Sequence, residues 1–327
     1  MIKTPQFWLE KSWLSTILLP FSWLYRIGFF CKKLLARKLR GDIRVICVGN
    51  IIAGGAGKTP VALAIGDFFL KHNVKFCYLT RGYKGSNSYP QIIDHSALND
   101  ADNQKYGDEA MILAKKALTC ISKNRIAGYK EIINQGCQVD FIIMDDGLQN
   151  FQLHHDYKIL VIDSKIGFGN QMILPSGPMR QSLESIIDEI NYCIIIGNKN
   201  VKLEQQILRY RQYLKIIYAR IVVKNSAQFS QKRLLAFCGI AYPQKFYDLM
   251  ETKGLNVIKT VNYHDHYRYS SKELDDLIQD AKSLNCEIIT TLKDWIKFPS
   301  IYQQQISYLD IDLEFDDNNF LTEILKK

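Results

Sequence analysis

The chain has 327 residues, 47% of them hydrophobic and 23% charged, an ordinary globular composition with room for two domains and no need of a disulfide staple. Its eight cysteines form no CxxC pair, which speaks against a structural zinc site and for small core residues in a reducing compartment. The net charge of +9 is concentrated at one end: Lys3, Lys11, Arg26, Lys32, Lys33, Arg37, Lys38 and Arg40 stand against Glu10 alone in residues 1–40, so a nucleic-acid surface is not expected.

That basic segment, 1–40, is also rich in large apolar groups, and three of the four tryptophans (Trp8, Trp13, Trp23) fall in it. The uncharged stretch from Ser12 to Tyr25 contains Pro20 and is too short for a spanning helix, which needs about 20 apolar residues. Phe29-Phe30-Cys31-Lys32-Lys33 offers no small-residue cleavage site for a signal peptide. A helix or helix pair lying in a membrane interface is expected, tryptophans at headgroup depth and cations toward anionic lipid. The competing reading packs the same helix on the globular body with its aromatics in the core.

Ile43 to Val48 reads as a short strand, followed by Gly54-Gly55-Ala56-Gly57-Lys58-Thr59 and then Val61, Ala62, Ile65 and Phe69 at helical spacing. Strand, glycine loop, Lys-Thr and helix are the setting of a phosphate-binding loop. Glycines let backbone N–H groups turn inward around phosphate oxygens, and the helix directs its positive end there. Lys58 is expected on the β- and γ-phosphates of ATP and Thr59 on Mg²⁺. Ile52 occupies the position where the commoner pattern has its first glycine, so the loop is the glycine-paired variant.

Val139 to Met144 reads as a buried strand ending in Asp145-Asp146-Gly147-Leu148-Gln149. A carboxylate at such a strand end completes a magnesium shell; Asp145 is the better placed, and Asp146 could serve the same cluster. Gly107-Asp108-Glu109 opens a helical run, where acids also act as amino-terminal caps. Strand-like runs at 43–48, 74–79, 139–144, 158–162 and 192–196 alternate with helical stretches, which argues a P-loop α/β core with a mostly parallel sheet. Residues 214–224 look like a strand leading into a linker. The chain divides as 1–40, a core at 41–225, and a smaller α/β domain at 226–327 with strands near 233–238, 256–261 and 286–290.

Asp-Asp-Gly-Leu-Gln after a Gly-Gly-x-Gly-Lys-Thr-Pro loop resembles the tetraacyldisaccharide 4′-kinase family of the lipid A pathway. Leu79-Thr80-Arg81-Gly82-Tyr83, Tyr106-Gly107-Asp108-Glu109, Gly167-Phe168-Gly169-Asn170 and Leu174-Pro175-Ser176-Gly177-Pro178-Met179-Arg180 agree with that family in order and spacing. So do Ala236-Phe237-Cys238-Gly239, Asp265-His266, and Thr290-Thr291 with Lys293-Asp294. Leu148 and Asn150, Gln181, Tyr267 and Leu292 depart from its pattern.

The resemblance implies transfer of the γ-phosphoryl group of ATP, with Mg²⁺, to the 4′-hydroxyl of a tetraacylated glucosamine disaccharide 1-phosphate. It implies Asp108 as base, His266 as its partner (with His264 a competitor for that place), and Glu109, Gln149, Asn170, Arg180 and Asp265 in support, with Arg81 on a phosphate. The expected setting is peripheral, at the cytoplasmic face of a bacterial inner membrane, with no obligate protein partner. A rival reading from the loop alone is a membrane-associated ATPase of the partitioning or insertion kind.

Overall fold

The computed structural model describes residues 5–94 and 105–326; residues 1–4 of the amino-terminal segment lie outside the described residues. In chain order the strands are β1 (Arg44–Gly49), β2 (Phe76–Thr80), β3 (Gln91–Ile93), β4 (Thr119–Ile121), β5 (Phe141–Asp145), β6 (Tyr157–Asp163), β7 (Tyr192–Ile196) and β8 (Lys215–Val223). Then follow β9 (Arg233–Cys238), β10 (Asn256–Asn262), β11 (Glu287–Thr291), β12 (Ser307–Leu309) and β13 (Ile311–Phe315). Nine of them form one sheet in the order β13-β8-β7-β6-β1-β5-β2-β4-β3, parallel except at β13–β8 and β3–β4. The other four form a parallel sheet ordered β10-β9-β11-β12.

The central strands are apolar runs because both faces of the large sheet are covered. One core takes Cys47, Leu79, Met144, Leu160 and Cys193; the opposite core takes Ile46, Val48, Ile143, Val161 and Ile194. The helix Lys58–Lys71 lays Val61, Ala62, Ile65 and Phe69 on the second face. Parallel strands of this kind collect their ligands at the carboxyl edge. β1 and β5 are neighbours with Val48 opposite Asp145, so the phosphate loop and Asp145 leave the same edge side by side.

The division expected at residue 226 does not hold to the end of the chain. After β12 the chain returns to the large sheet, where β13 pairs antiparallel with β8. The helix Asn319–Lys326 then buries Phe320, Leu321 and Ile324 in the same core, the Phe320 ring meeting Tyr192 of β7 and Phe315 of β13. β8, read as a strand leading into a linker, is therefore an internal strand. The physical reason is the apolar stripe of that last helix, which is buried in the large sheet's core.

The amino-terminal segment forms a turn at Gln6–Trp8 and helices at Trp13–Ile17 and Leu19–Leu34. Its aromatics are not buried in the core, as the body-packed reading would have them. Ser15 and Ser22 face inward and are buried, whereas Trp13 is 70% and Trp23 65% exposed, beside exposed Ile17, Phe21, Leu24, Ile27 and Phe30. Ser22 Oγ donates to Ile173 O (2.8 Å) and meets Ser176 Oγ at 2.7 Å. Trp8 Nε1 donates to Pro175 O (3.0 Å). Among the described residues no helix is long and apolar enough to cross a membrane.

Phe320→Ala should destabilise the large sheet by about 3–5 kcal/mol, the usual toll of emptying a buried phenylalanine site. Urea denaturation measures it, and a loss under about 1 kcal/mol would mean that the last helix is not part of this core.

Candidate active site

The phosphate loop runs from β1 into the helix Lys58–Lys71. Gly57, at φ +83°, precedes the helix, and no side chain caps its first turn. A Cβ at Gly57 would also meet Ile196 Cδ1 at 2.4 Å, so only glycine fits. The N–H groups of that turn are thus left for an anion.

Thr59 Oγ1 donates to Asp145 Oδ2 at 2.7 Å. Asp145 Oδ1 is buried and has no hydrogen-bond partner among the described residues. Burial pushes the Asp145 carboxyl up to about 7, helped by the charge of Glu109 and opposed by the Thr59 hydrogen bond and Lys58. A buried carboxylate with an idle oxygen beside a threonine hydroxyl is the donor set a hard divalent cation takes.

Asp146, expected in the same metal cluster, faces cations instead. Lys58 Nζ lies 3.6 Å from its Oδ1, and Arg180 Nη1 donates to its two oxygens at 3.2 and 3.4 Å. Burial would raise its carboxyl, but Lys58 and Arg180 outweigh that and hold it below the usual range. Arg180 Nη1 also donates to Gln149 Oε1 (3.0 Å), and Gln149 Nε2 donates to Asn50 O (2.8 Å), tying this patch to the end of β1.

The second cluster brings the two sheets together. Asp108 begins the helix Asp108–Ala114, and His266 follows β10 in the smaller sheet's body. His266 Nδ1 and Asp108 Oδ2 are 2.8 Å apart across 158 residues of sequence. Burial raises the Asp108 carboxyl, yet its bond to His266 and the nearby Lys297, 3.6 Å away, leave it below the ordinary range. His264, the competing histidine, packs on Tyr267 instead. Asp265 pairs with Lys293 at 3.1 Å. Glu109, one residue beyond Asp108, is close enough to Asp145 for its charge to be felt there, so one helix start touches both clusters.

The chain as a whole is similar to one family throughout its length. The family model for tetraacyldisaccharide-1-P 4′-kinase matches residues 14–327. A tetraacyldisaccharide 4′-kinase of Agrobacterium fabrum is 34% identical over 97% of this chain and 92% of its own. One of Bartonella quintana is 33% identical over 100% of this chain and 95% of its own. The chain belongs to this family. It is a kinase, and the rival reading as a partitioning or insertion ATPase is not favoured. A crystal structure of an "apo" form of LpxK from Aquifex aeolicus in complex with ATP has the same fold, with TM-score 0.75 and 21% identity over 96% of this chain and 98% of that one.

In this tetraacyldisaccharide 4′-kinase family member, two residues expected from the sequence stand outside the hydrogen bonds of both clusters. Asn170 is buried away from both clusters, its Nδ2 donating to Phe7 O (2.7 Å) and Ser176 O (2.9 Å), so it fastens the amino-terminal segment. Arg81 is exposed at the end of β2 and reaches no partner among the described residues. Residues missed from the sequence include Arg125, buried, which donates to Ser122 O (2.6 Å) and Asp145 O (3.2 Å). Its place just after β4, on the same carboxyl edge, is the signal that could have found it. Lys297 is the other; it lies in the turn just past the short helix Leu292–Trp295, four residues after Lys293.

The folded chain holds the Asp145 proton more tightly than the unfolded chain does. Nucleotide-free protein therefore loses stability as pH rises from the ordinary carboxylate range to about 7. Asp145→Asn removes that loss: its thermal midpoint should exceed wild type, by a margin that widens from about pH 5 to about pH 8. A margin independent of pH would contradict the burial argument.

Proposed function

We propose that this kinase transfers the γ-phosphoryl group of ATP to the 4′-hydroxyl of a tetraacylated glucosamine disaccharide 1-phosphate, working from the surface of a membrane. The observation that carries the reading is the junction of a phosphate loop with an Asp–His pair whose histidine comes from a second body. The relatives' names supply the acceptor.

The roles follow from the contacts. The open first turn after Gly57 and the Lys58 ammonium receive the phosphates, which in the free chain Asp146 stands in for by holding Lys58. Thr59 and Asp145 would hold Mg²⁺, which when bound would supply charge neutralisation for the nucleotide's phosphates. As the acceptor oxygen bonds to phosphorus and the bond to ADP breaks, the hydroxyl proton goes to Asp108. Asp108 Oδ2 is engaged by His266, and Oδ1 has no partner among the described residues, so Oδ1 is the free acceptor. Arg125 and Arg180 set the positive field in which the negative charge shifts.

The exposed apolar side of Trp13–Ile17 and Leu19–Leu34 supports a peripheral seat in a bilayer, while Lys32 and Lys33 in the last turn reach back to Gln149 O (3.5 Å) and Glu189 (3.1 Å) on the body. Serines inward and tryptophans outward invert what a water-facing helix would show. Because the co-substrate is a cytoplasmic nucleotide, the face used is the cytoplasmic one.

Incubation with γ-labelled ATP and the disaccharide lipid should move label into the organic phase; label appearing only as free phosphate would overturn the reading. Lys58→Ala and Asp108→Asn should each lower that transfer by at least about 10²-fold with the thermal midpoint little changed. Replacing Trp13 and Trp23 together by serine should cut partitioning onto anionic vesicles by about tenfold or more, since each indole offers apolar area to the bilayer. Unchanged flotation with vesicles would contradict the interfacial seat.

A further inference from the structure

Lys293 lies in the short helix Leu292–Trp295, which follows β11 and is capped by Thr291, whose Oγ1 accepts from Asp294 N at 3.1 Å. Asp294 is wholly buried and accepts from Gly239 N (2.8 Å) and Lys297 Nζ (2.7 Å), so the helix is fixed against the loop that carries His266. His266 itself is held at φ +60°, its N–H donating to Gly239 O at 3.0 Å. In that frame Lys293 Nζ is 3.1 Å from His266 Nε2 and 3.1 Å from Asp265 Oδ1.

An ammonium is a donor only. Nε2 must therefore be the accepting, unprotonated nitrogen. The ring's one proton then sits on Nδ1, where it is donated to Asp108 Oδ2. We propose that Lys293 is a positioning residue that keeps His266 neutral in its Nδ1–H form, leaving Asp108 as the only member of the pair free to take the acceptor's proton. The inference rests on the assignment of Asp108 as base and adds the group that fixes its partner.

The charges around the ring are balanced. Asp108 and Asp265 face it as carboxylates, Lys293 and Lys297 as ammonium groups, and the Tyr83 ring meets it edge-on at 5.6 Å. Take Lys293 away, and Nε2 is left 3.7 Å from Asp265 Oδ2 with nothing between them. The imidazole then lies between two carboxylates, which favours its doubly protonated cation. A cationic ring beside Asp108 would hold that carboxylate as its counter-ion and make it a poorer base.

The test is made on the full-length chain. Nitrogen NMR of labelled histidine at neutral pH should show His266 Nε2 as pyridine-like and Nδ1 as pyrrole-like in the wild type. In Lys293→Met both nitrogens should read as protonated, and the acid limb of the kcat profile should move up by about one pH unit or more. KM for ATP should stay as it was, and Lys293→Arg should restore the wild-type limb. A wild-type ring protonated on Nε2 would overturn the proposal without needing any variant. So would a Lys293→Met profile whose acid limb has not moved. The NMR readout needs no turnover, so it separates this inference from the base assignment, which falls if Asp108→Asn keeps its activity.

Discussion

The structure turns on one hydrogen bond, from His266 to Asp108, which joins a residue of the small sheet's body to a helix start on the large one. It exists only while the two bodies are pressed together. Ile296 packs with Tyr106, Ala110, Met111 and Ile112, and the Lys115 ammonium sits 4.1 Å above the Trp295 ring. Gly107, at φ +84°, is needed there, because a Cβ would strike Tyr83 O at 2.4 Å and push the helix start out of line. A site completed by two bodies can shed water as it forms, which protects the nucleotide from hydrolysis before an alcohol is in place.

The same site is electrostatically expensive. Asp145 and Arg125 are buried at the edge of a sheet whose strands are otherwise apolar, and Asp145 keeps one oxygen without a partner among the described residues. Burying such groups costs stability unless something pairs with them. The cost is tolerable because both cores of the large sheet flank the strands that carry the edge. Function and stability pull apart at Asp145, as is usual where a carboxylate awaits a ligand.

Much of this was legible from residue order. β1, β5, β6 and β7 announce themselves as continuous apolar runs, since each is covered on both faces, and the rule that ligands collect at carboxyl edges places Thr59 beside Asp145. β3, β4 and β12 are three residues each, too short for any period to show. The return of β13 and the last helix was hidden because a stripe of Phe320, Leu321 and Ile324 does not say which sheet it will cover. Asp108 and His266 were paired only through family resemblance; nothing local to either residue points to the other. Asn170 was likewise singled out only by its motif, and its hydrogen bonds fasten the amino-terminal segment. The direction in which the amino-terminal helices face was legible only in part: the apolar content was plain, but that Ser15 and Ser22 would turn inward required the serine-lined seat at Ile173 and Ser176.

The central claim is that Asp108 and His266 act as one unit across the two bodies. A double-mutant cycle on kcat/KM, with Asp108→Asn, His266→Asn and both together, measures this directly. The account predicts that the double variant is about as impaired as the worse single one. Losses that simply multiply would mean that the two residues work independently, and the proposed joining of the bodies at this contact would be wrong.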